Sequence, residues 1–272
     1  MNIDSRIKKI NGNLLKIVAC ISMLVDHMAA GVMLPVVRYR VYNGSLSIDQ
    51  LNDIYKFLRK FGRTAFPIYC FLLVEGFFHT KSRRKYALSL LIFGLISEIP
   101  FDISLFAEKE VFNPNLLEVV KANSFLLMDQ CNVYATLFVG LLTIWCLDFI
   151  TNYVREKNLS DVIAYWLYIP TIALGCLICI KANTDYDAYG ILLISIFYLL
   201  YKHDYLRLIA AYLFISQLSI EYAAFPGFIL MALYNKKRGR NLGKFKYFFY
   251  LFYPLHLLAI HFIRCMMYSA AY

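Results

Sequence analysis

Long apolar segments separated by short polar ones run along the whole chain. The segments are 14–34, 62–78, 86–106, 133–153, 162–180, 187–201, 206–219, 221–234 and 246–268. A helix needs about 20 mostly apolar residues to cross a bilayer, and most of these segments come close to that length. The pattern therefore predicts an all-α protein, a polytopic helical membrane bundle of about nine spans. Eight or ten spans stay open, because 206–219 and 221–234 are short enough to form a re-entrant pair or a tilted hairpin.

Composition supports a membrane protein. Of the 272 residues, 60% are apolar and 17% are charged, whereas a soluble domain has about a quarter charged residues. The apolar run 14–34 is too long for the core of a signal peptide and is not followed by a small-residue cleavage site, so we expect a retained first span. No repeat or linker divides the sequence, which predicts a single domain over 1–272.

The position of the basic residues explains the net charge of +10. They cluster at the ends of apolar segments, in SRIKK near the start, TKSRRKY at 80–86 and NKKRGRNLGKFK at 235–246, whereas 107–132 is rich in acidic residues. Because basic loops stay in the cytoplasm, this pattern predicts a cytoplasmic N-terminus. The partner of these charges is then the lipid bilayer, and we expect no nucleic acid.

One connection departs from this charge rule. The first outer loop contains six cations, namely Arg38, Arg40, Lys56, Arg59, Lys60 and Arg63. The stretch SIDQLNDIYKFLRKFG predicts an amphipathic helix that starts after Ser47 and lies at the interface, with its basic side chains toward lipid phosphates. A second explanation, compatible with the first, is that some cations point into the protein and hold an anionic ligand, Arg63 above all.

Ionisable side chains also occur inside the apolar segments, where they are costly unless they are paired or face a polar cavity. They are Asp26, His27, Glu75, Glu98, Asp102 and His256. Within SEIPFD we expect Pro100 to break its helix and to free carbonyls that need polar surroundings. With the predicted orientation, most of these groups share the outer half of the membrane with Asp187 and Tyr189, which predicts a polar cavity there.

Asp26 and His27 are neighbours in sequence, so on a helix they point about 100° apart and must find partners on other helices. His27 is either a structural histidine or a general base, because imidazole titrates near neutral pH. A carboxylate such as Asp26 or Glu98 on its other ring nitrogen would fix the tautomer. We expect no metal site. For Glu75 a structural role is favoured over a place in the cavity.

Four stretches resemble the TraX family of bacterial membrane proteins. They are LLKIVACISMLVDHMAAG, FGRTAFPIYCFLLVEGFFHTKSRRKYALSLLIFGLISEIPFD, DYDAYGILLI and YFFYLFYPLHLLAI. The most specific pieces are the Asp26-His27 pair, GRTAFP starting at Gly62, SEIPFD and YPLHL around His256. The family is named for a conjugal-transfer protein linked to N-terminal acetylation of pilin, and it is similar in layout to the acyltransferase-3 class. The resemblance implies a bacterial inner-membrane acetyltransferase.

The same resemblance implies roles for individual residues. His27 with Asp26 would be the catalytic base, Arg63 a contact to phosphate or to the acyl carbonyl, and Glu98 or Asp102 an orienting group. His256 would be a second histidine of the substrate cavity. The donor would be cytoplasmic acetyl-CoA, and the acceptor would lie outside the cytoplasm, either a pilin-like N-terminus or a surface glycan.

The anionic donor needs cations, and two sets are available. One contains Arg59, Lys60 and Arg63, and the other is the basic loop with Lys81, Arg83, Arg84 and Lys85. The alternative function is a proton-coupled transporter or flippase, in which the buried carboxylates and histidines would relay protons. A non-catalytic scaffold would leave the buried ionisable groups unexplained.

Overall fold

The computed structural model describes residues 8–42, 44–127, 129–240, 243 and 247–271. Within these ranges the chain forms helices, connecting turns and no strand, which confirms the predicted all-α class. The basic clusters predicted at 5–9 and 235–246 lie partly outside the described residues.

Twelve α-helices follow one another in the described chain. They are α1 (Gly12–Met28), α2 (Leu34–Arg38), α3 (Ile48–Gly62), α4 (Ala65–His79), α5 (Arg83–Phe101), α6 (Leu116–Ala122), α7 (Val133–Glu156), α8 (Asp161–Lys181), α9 (Asp187–Leu199), α10 (Asp204–Ile215), α11 (Phe225–Ala232) and α12 (Phe248–Ala271). Two π-helical turns extend longer segments. The first, Ala29–Met33, joins α1 to α2, and the second, Asp102–Phe106, continues α5. Short 3₁₀ turns occur at Ser124–Leu126 and Glu221–Ala224.

Six segments of the described chain are long and apolar enough to cross a membrane. They are Gly12–Arg38, Ile48–His79, Arg83–Phe106, Val133–Glu156, Asp161–Lys181 and Phe248–Tyr268. The predicted count of nine spans is not confirmed, because α9, α10 and α11 have only 13, 12 and 8 residues. The protein is nevertheless a multi-pass membrane protein.

Side-chain caps explain where several helices begin. Asn11 accepts a hydrogen bond from the Leu14 amide at the start of α1. Ser47 starts α3 with a capping box, in which its hydroxyl accepts from the Gln50 amide and the Gln50 side chain accepts from the Ser47 amide. The predicted N-cap of the amphipathic helix is thus confirmed. Such caps satisfy amides that have no partner inside the helix.

Helix α8 shows how the apolar surface is used. Large apolar side chains along its length are strongly exposed, among them Trp166, Ile169, Leu174 and Leu177. A soluble protein rarely exposes a continuous apolar surface of this kind. We infer that this surface of α8 contacts the lipid chains of the bilayer.

The chain folds into two compact units, each built from segments that are distant in sequence. The first unit contains 1–69, 96–128 and 216–272, and the second contains 70–95 and 129–215. That the whole chain acts as one domain stays a prediction.

In the first unit, Pro100 does not break its helix, in contrast to the expectation from the sequence. Helix α5 passes through Pro100 and continues into the π-helical turn Asp102–Phe106. The segment therefore stays helical to Phe106. That carbonyls freed by Pro100 need polar partners stays a prediction, while beyond the proline the Ile103 and Ser104 carbonyls accept hydrogen bonds from Arg264.

Arg264, on α12, is 1% exposed. Its Nε donates to the Val111 carbonyl, Nη1 to the Gly31 and Ser104 carbonyls, and Nη2 to the Ile103 carbonyl and to Nδ1 of His261. All five N–H donors of the guanidinium are therefore used. Since Gly31 and Ser104 belong to different π-turns, this one side chain ties the two turns together.

In the second unit, Glu75 and Arg207 form a buried ion pair. Nη1 of Arg207 lies 2.9 Å from Oε1 of Glu75, and the two side chains are 3% and 6% exposed. The guanidinium also lies over the rings of Phe71 and Tyr201, at 4.6 and 5.1 Å from their centroids. This arrangement favours the structural role expected for Glu75.

We expect the Glu75→Gln substitution to lower the stability of the protein by about 1–3 kcal/mol. It removes the closer and more buried carboxylate partner of Arg207 and leaves, in the described chain, only Asp204, which lies 3.5 Å away and is 24% exposed. Thermal unfolding in detergent would measure the loss. Asp53→Asn is a matched control, since Asp53 pairs with Lys56 at 4.0 Å on an exposed surface, and its effect should stay within about 0.5 kcal/mol. Equal unfolding midpoints for the two variants would contradict the prediction.

Candidate functional site

Asp26 belongs to a cluster of two carboxylates and two guanidiniums in the first unit. Oδ1 of Asp26 lies 2.5 Å from Nη2 of Arg63, and Oδ2 lies 2.5 Å from Nη1 of Arg59. Nη1 of Arg63 is 3.0 Å from Oε1 of Glu221. The four charges cancel, so the cluster can be buried at moderate cost. Arg63 points into the protein as hypothesised from the sequence, and here its anionic partners are the protein's own carboxylates.

Local packing of α3 on α1 brings these groups together. Ser22 on α1 donates to the Phe61 and Gly62 carbonyls at 2.9 and 3.1 Å, which satisfies carbonyls at the C-terminal end of α3. Gly62 faces Asp26 so closely that a Cβ at this position would overlap with the carboxylate. The glycine thus allows the aspartate to reach both arginines.

The Gly62→Ala substitution should destabilise the protein by about 1–3 kcal/mol, because the added methyl group has to displace Asp26 from its two arginines. Thermal unfolding in detergent measures this effect. Gly12→Ala serves as control, since a Cβ at Gly12 meets its nearest atom at an ordinary 3.7 Å, and the change there should be below about 1 kcal/mol. The prediction fails if both variants unfold at the wild-type temperature.

Two histidines meet beside this cluster. Nδ1 of His27, at the end of α1, lies 2.7 Å from Nε2 of His256 on α12. The rings are nearly parallel, with an interplanar angle of 4° and centroids 5.0 Å apart. The Tyr253 ring stands edge-on to both histidines. The expectation that Asp26 and His27 find partners on other helices is therefore confirmed.

The hydrogen bonds determine the tautomers of the neutral pair. Nδ1 of His256 lies 2.8 Å from the Phe252 carbonyl, and since a carbonyl only accepts, this nitrogen carries the proton. Nε2 of His256 must then accept, and Nδ1 of His27 must donate to it. It follows that Nε2 of His27 carries the lone pair, and it has no hydrogen-bond partner among the described residues. A buried imidazole with a free lone pair can take a proton from a bound substrate.

The partner of His27 is therefore a histidine, where the sequence suggested a carboxylate. Asp26 uses its oxygens for the two arginines. Glu98 is half-buried on α5, and Asp102 is 2% exposed at the start of the second π-turn. Both belong to the first unit, and an orienting role for either stays a prediction.

The remaining predicted site residues are divided between the two units. Lys60 is exposed, with its ammonium 5.8 Å from the centroid of the Tyr222 ring. Arg83, Arg84, Asp187 and Tyr189 belong to the second unit. There Arg83 pairs with Asp148 at 2.5 Å, whereas Arg84 is exposed. Asp187 is the first residue of α9. Tyr189 is 46% exposed, and its ring packs against Phe214. Their roles in binding donor or acceptor stay predictions.

Three charged residues that the structure makes prominent were not singled out from the sequence. Glu221 completes the Asp26 cluster, Arg264 holds the π-turns and Arg207 pairs with Glu75. A charged residue within a predicted apolar segment was the available signal in each case. In the described chain, no group of three or more His, Cys, Asp or Glu side chains is placed to hold a metal ion.

Comparisons with known proteins agree with the resemblance seen in the sequence. A family model described as TraX protein matches residues 11–264. A curated protein of Dichelobacter nodosus, described as "Probable fimbrial assembly protein FimC, serogroup H1", is 28% identical over 261 residues, which cover 89% of this chain and 91% of the relative. No solved structure gives a significant match.

Proposed function

Since the chain belongs to the TraX family, we propose that it is a membrane-bound acyltransferase that moves an acetyl group from cytoplasmic acetyl-CoA to an acceptor on the other side of the membrane. His27 is the general base. Its Nε2, left with a lone pair by the hydrogen bond between Nδ1 and His256, is the observation that carries the proposal.

The reaction needs a proton acceptor and a group that stabilises negative charge. A hydroxyl or amine of the acceptor attacks the thioester carbonyl while Nε2 of His27 removes its proton. An oxyanion then develops on the carbonyl oxygen. Arg59 suits this oxyanion better than Arg63, because the Arg59 side chain is 26% exposed and pairs with one carboxylate, whereas Arg63 is 12% exposed and pairs with two.

The charge balance of the cluster also bears on the donor's phosphates. Asp26 and Glu221 neutralise Arg59 and Arg63, so these arginines attract a polyanion less than unpaired cations do. We assign the phosphates to exposed cations, of which Lys60 is near the cluster, since it lies over the ring of Tyr222, the residue after Glu221. In the second unit, the exposed candidates of the basic loop are Lys81, Arg84 and Lys85.

The acceptor is proposed from the comparison. The relative from Dichelobacter nodosus is named a probable fimbrial assembly protein. A pilin-like N-terminus is therefore the first acceptor to test, and a surface glycan the second. Both present a nucleophile, an amine or a hydroxyl, from which His27 can remove a proton.

The test is binding and transfer of radiolabelled acetyl-CoA by the purified protein in lipid nanodiscs. We expect saturable binding and slow release of the acetyl group to water, followed by faster transfer when the correct acceptor is added. Desulfo-CoA, which cannot donate an acetyl group, should compete for binding. A folded protein that binds no acetyl-CoA at millimolar concentration would overturn the proposal and favour a proton-coupled transporter.

A further inference from the structure

His256 can do more for His27 than fix its tautomer. The two facing nitrogens are 2.7 Å apart, at the short end of the range for hydrogen bonds between nitrogens, and the rings share one orientation. In a Ser-His-Asp triad the third group is a carboxylate that stays ionised while the histidine keeps both protons. Here the third group is another imidazole, which has the same intrinsic affinity for a proton as its partner.

We propose that His27 and His256 form a two-histidine proton relay, in which His256 takes up the proton that His27 would otherwise have to hold. The relay rests on the proposed acyl transfer. The acceptor X–H gives its proton to Nε2 of His27 as X bonds to the acyl carbon, and the Nδ1 proton of His27 moves to Nε2 of His256. When the carbon–sulfur bond breaks, the thiolate takes the Nε2 proton of His27, and the proton on Nε2 of His256 returns to Nδ1 of His27.

The surroundings of His256 fit a temporary positive charge. Its Nδ1–H already donates to the Phe252 carbonyl at 2.8 Å, a bond that becomes charge-assisted when the ring is protonated. The Phe252 ring stacks on the imidazole at 4.8 Å with an interplanar angle of 13°, and a cation over an aromatic face is stabilised.

The same surroundings favour return of the proton. Among the residues that the structure describes, no carboxylate lies within ion-pair distance of His256. A carboxylate contact would hold the imidazolium and slow the second half of the reaction. A carbonyl and an aromatic ring stabilise the charge less strongly, and burial of the ring disfavours the imidazolium, so the proton returns readily to His27.

The His256→Gln variant distinguishes proton uptake by His256 from its role in holding the tautomer of His27. The glutamine amide oxygen can accept the hydrogen bond from Nδ1 of His27 and so preserve the tautomer, but it cannot take the proton. We expect kcat to fall while KM for acetyl-CoA stays unchanged. The loss should be smaller than the about 10²–10⁴-fold expected when a general base is removed.

The number of protons that move in the transition state is a readout that would not change if His256 had a purely structural role. In mixtures of H₂O and D₂O, the wild-type rate should depend on deuterium content along a curve, because two protons move in the transition state, whereas His256→Gln should give a straight line. The exposed His203 supplies the control His203→Gln, which should keep both the rate and the curve. A curved dependence in His256→Gln, or a wild-type rate in that variant, would overturn the relay.

A second measurement works without turnover. Nitrogen NMR of protein labelled with ¹⁵N-histidine in nanodiscs should show coupling across the hydrogen bond between Nδ1 of His27 and Nε2 of His256, and this coupling should vanish in His256→Gln. If the coupling is present in a protein that transfers no acetyl group, the hydrogen bond between the two histidines is supported and the acyltransferase proposal is refuted. Absence of the coupling in active wild-type protein would refute the relay and leave the acyltransferase proposal standing.

Discussion

The His27→Gln variant is expected to lose acetyl transfer by about 10²–10⁴-fold, the usual contribution of a general base. Glutamine can donate its amide hydrogen to Nε2 of His256, as Nδ1 of His27 does in the wild type, so α1 and α12 keep their contact. It has no nitrogen that accepts a proton. Donor binding should therefore stay close to wild type while turnover falls.

Transfer of radiolabel from acetyl-CoA, together with thermal unfolding of the same sample, tests this expectation. The unfolding midpoint should change by no more than that of His203→Gln, because glutamine at position 27 keeps the hydrogen bond to His256. His203→Gln makes the same substitution at an exposed position outside the site. Wild-type turnover in folded His27→Gln protein would remove His27 from the mechanism. Equal losses in binding and turnover would point to a damaged site and require a second substitution, His27→Asn.

The Arg264→Leu variant is expected to fail to fold stably in a membrane or in detergent. The substitution removes the guanidinium donors from four carbonyls and from Nδ1 of His261. Each such buried group costs about 1–3 kcal/mol, so together they approach the about 5–15 kcal/mol that separates folded from unfolded protein. Lysine has three donors where arginine has five, so Arg264→Lys should fall between wild type and leucine.

Yield of inserted protein and the unfolding midpoint in detergent measure this loss. Arg38→Leu is the matched control, because Arg38 belongs to the same unit and is exposed, and its stability should remain within about 0.5 kcal/mol of wild type. An Arg264→Leu protein as stable as Arg38→Leu would show that water replaces the lost donors. The hydrogen bonds from Arg264 to the two π-turns would then contribute little to the stability of the protein.

The sequence predicts the helical class and the partnered state of Asp26 and His27 for simple reasons. The length of an apolar segment indicates whether it can cross a bilayer as a helix. Helical geometry keeps adjacent residues such as Asp26 and His27 from facing each other. It does not identify which partners they find. The contacts from Asp26 to Arg63 and from His27 to His256 depend on how distant segments pack, and a single sequence holds no record of that packing.

Other features could not be predicted for physical reasons. Pro100 normally ends a helix, but a π-turn follows it here and Arg264 supplies donors to the carbonyls of Ile103 and Ser104. Arg264 itself sits near the end of a predicted span, where an arginine commonly extends toward the membrane surface. Only the carbonyls gathered around it reveal that it points inward.

In the proposed mechanism, the histidine pair also sets the point during synthesis at which His27 can become a general base. His27 and His256 are separated by 229 positions in the chain, so the first transmembrane segment leaves the ribosome long before its partner exists. Until α12 enters the membrane, Nδ1 of His27 has no histidine to bond, and nothing in the pair selects the tautomer with the reactive nitrogen. Under the proposed mechanism, a truncated chain that lacks this last helix is expected to transfer no acetyl group, because the partner that orients His27 is missing.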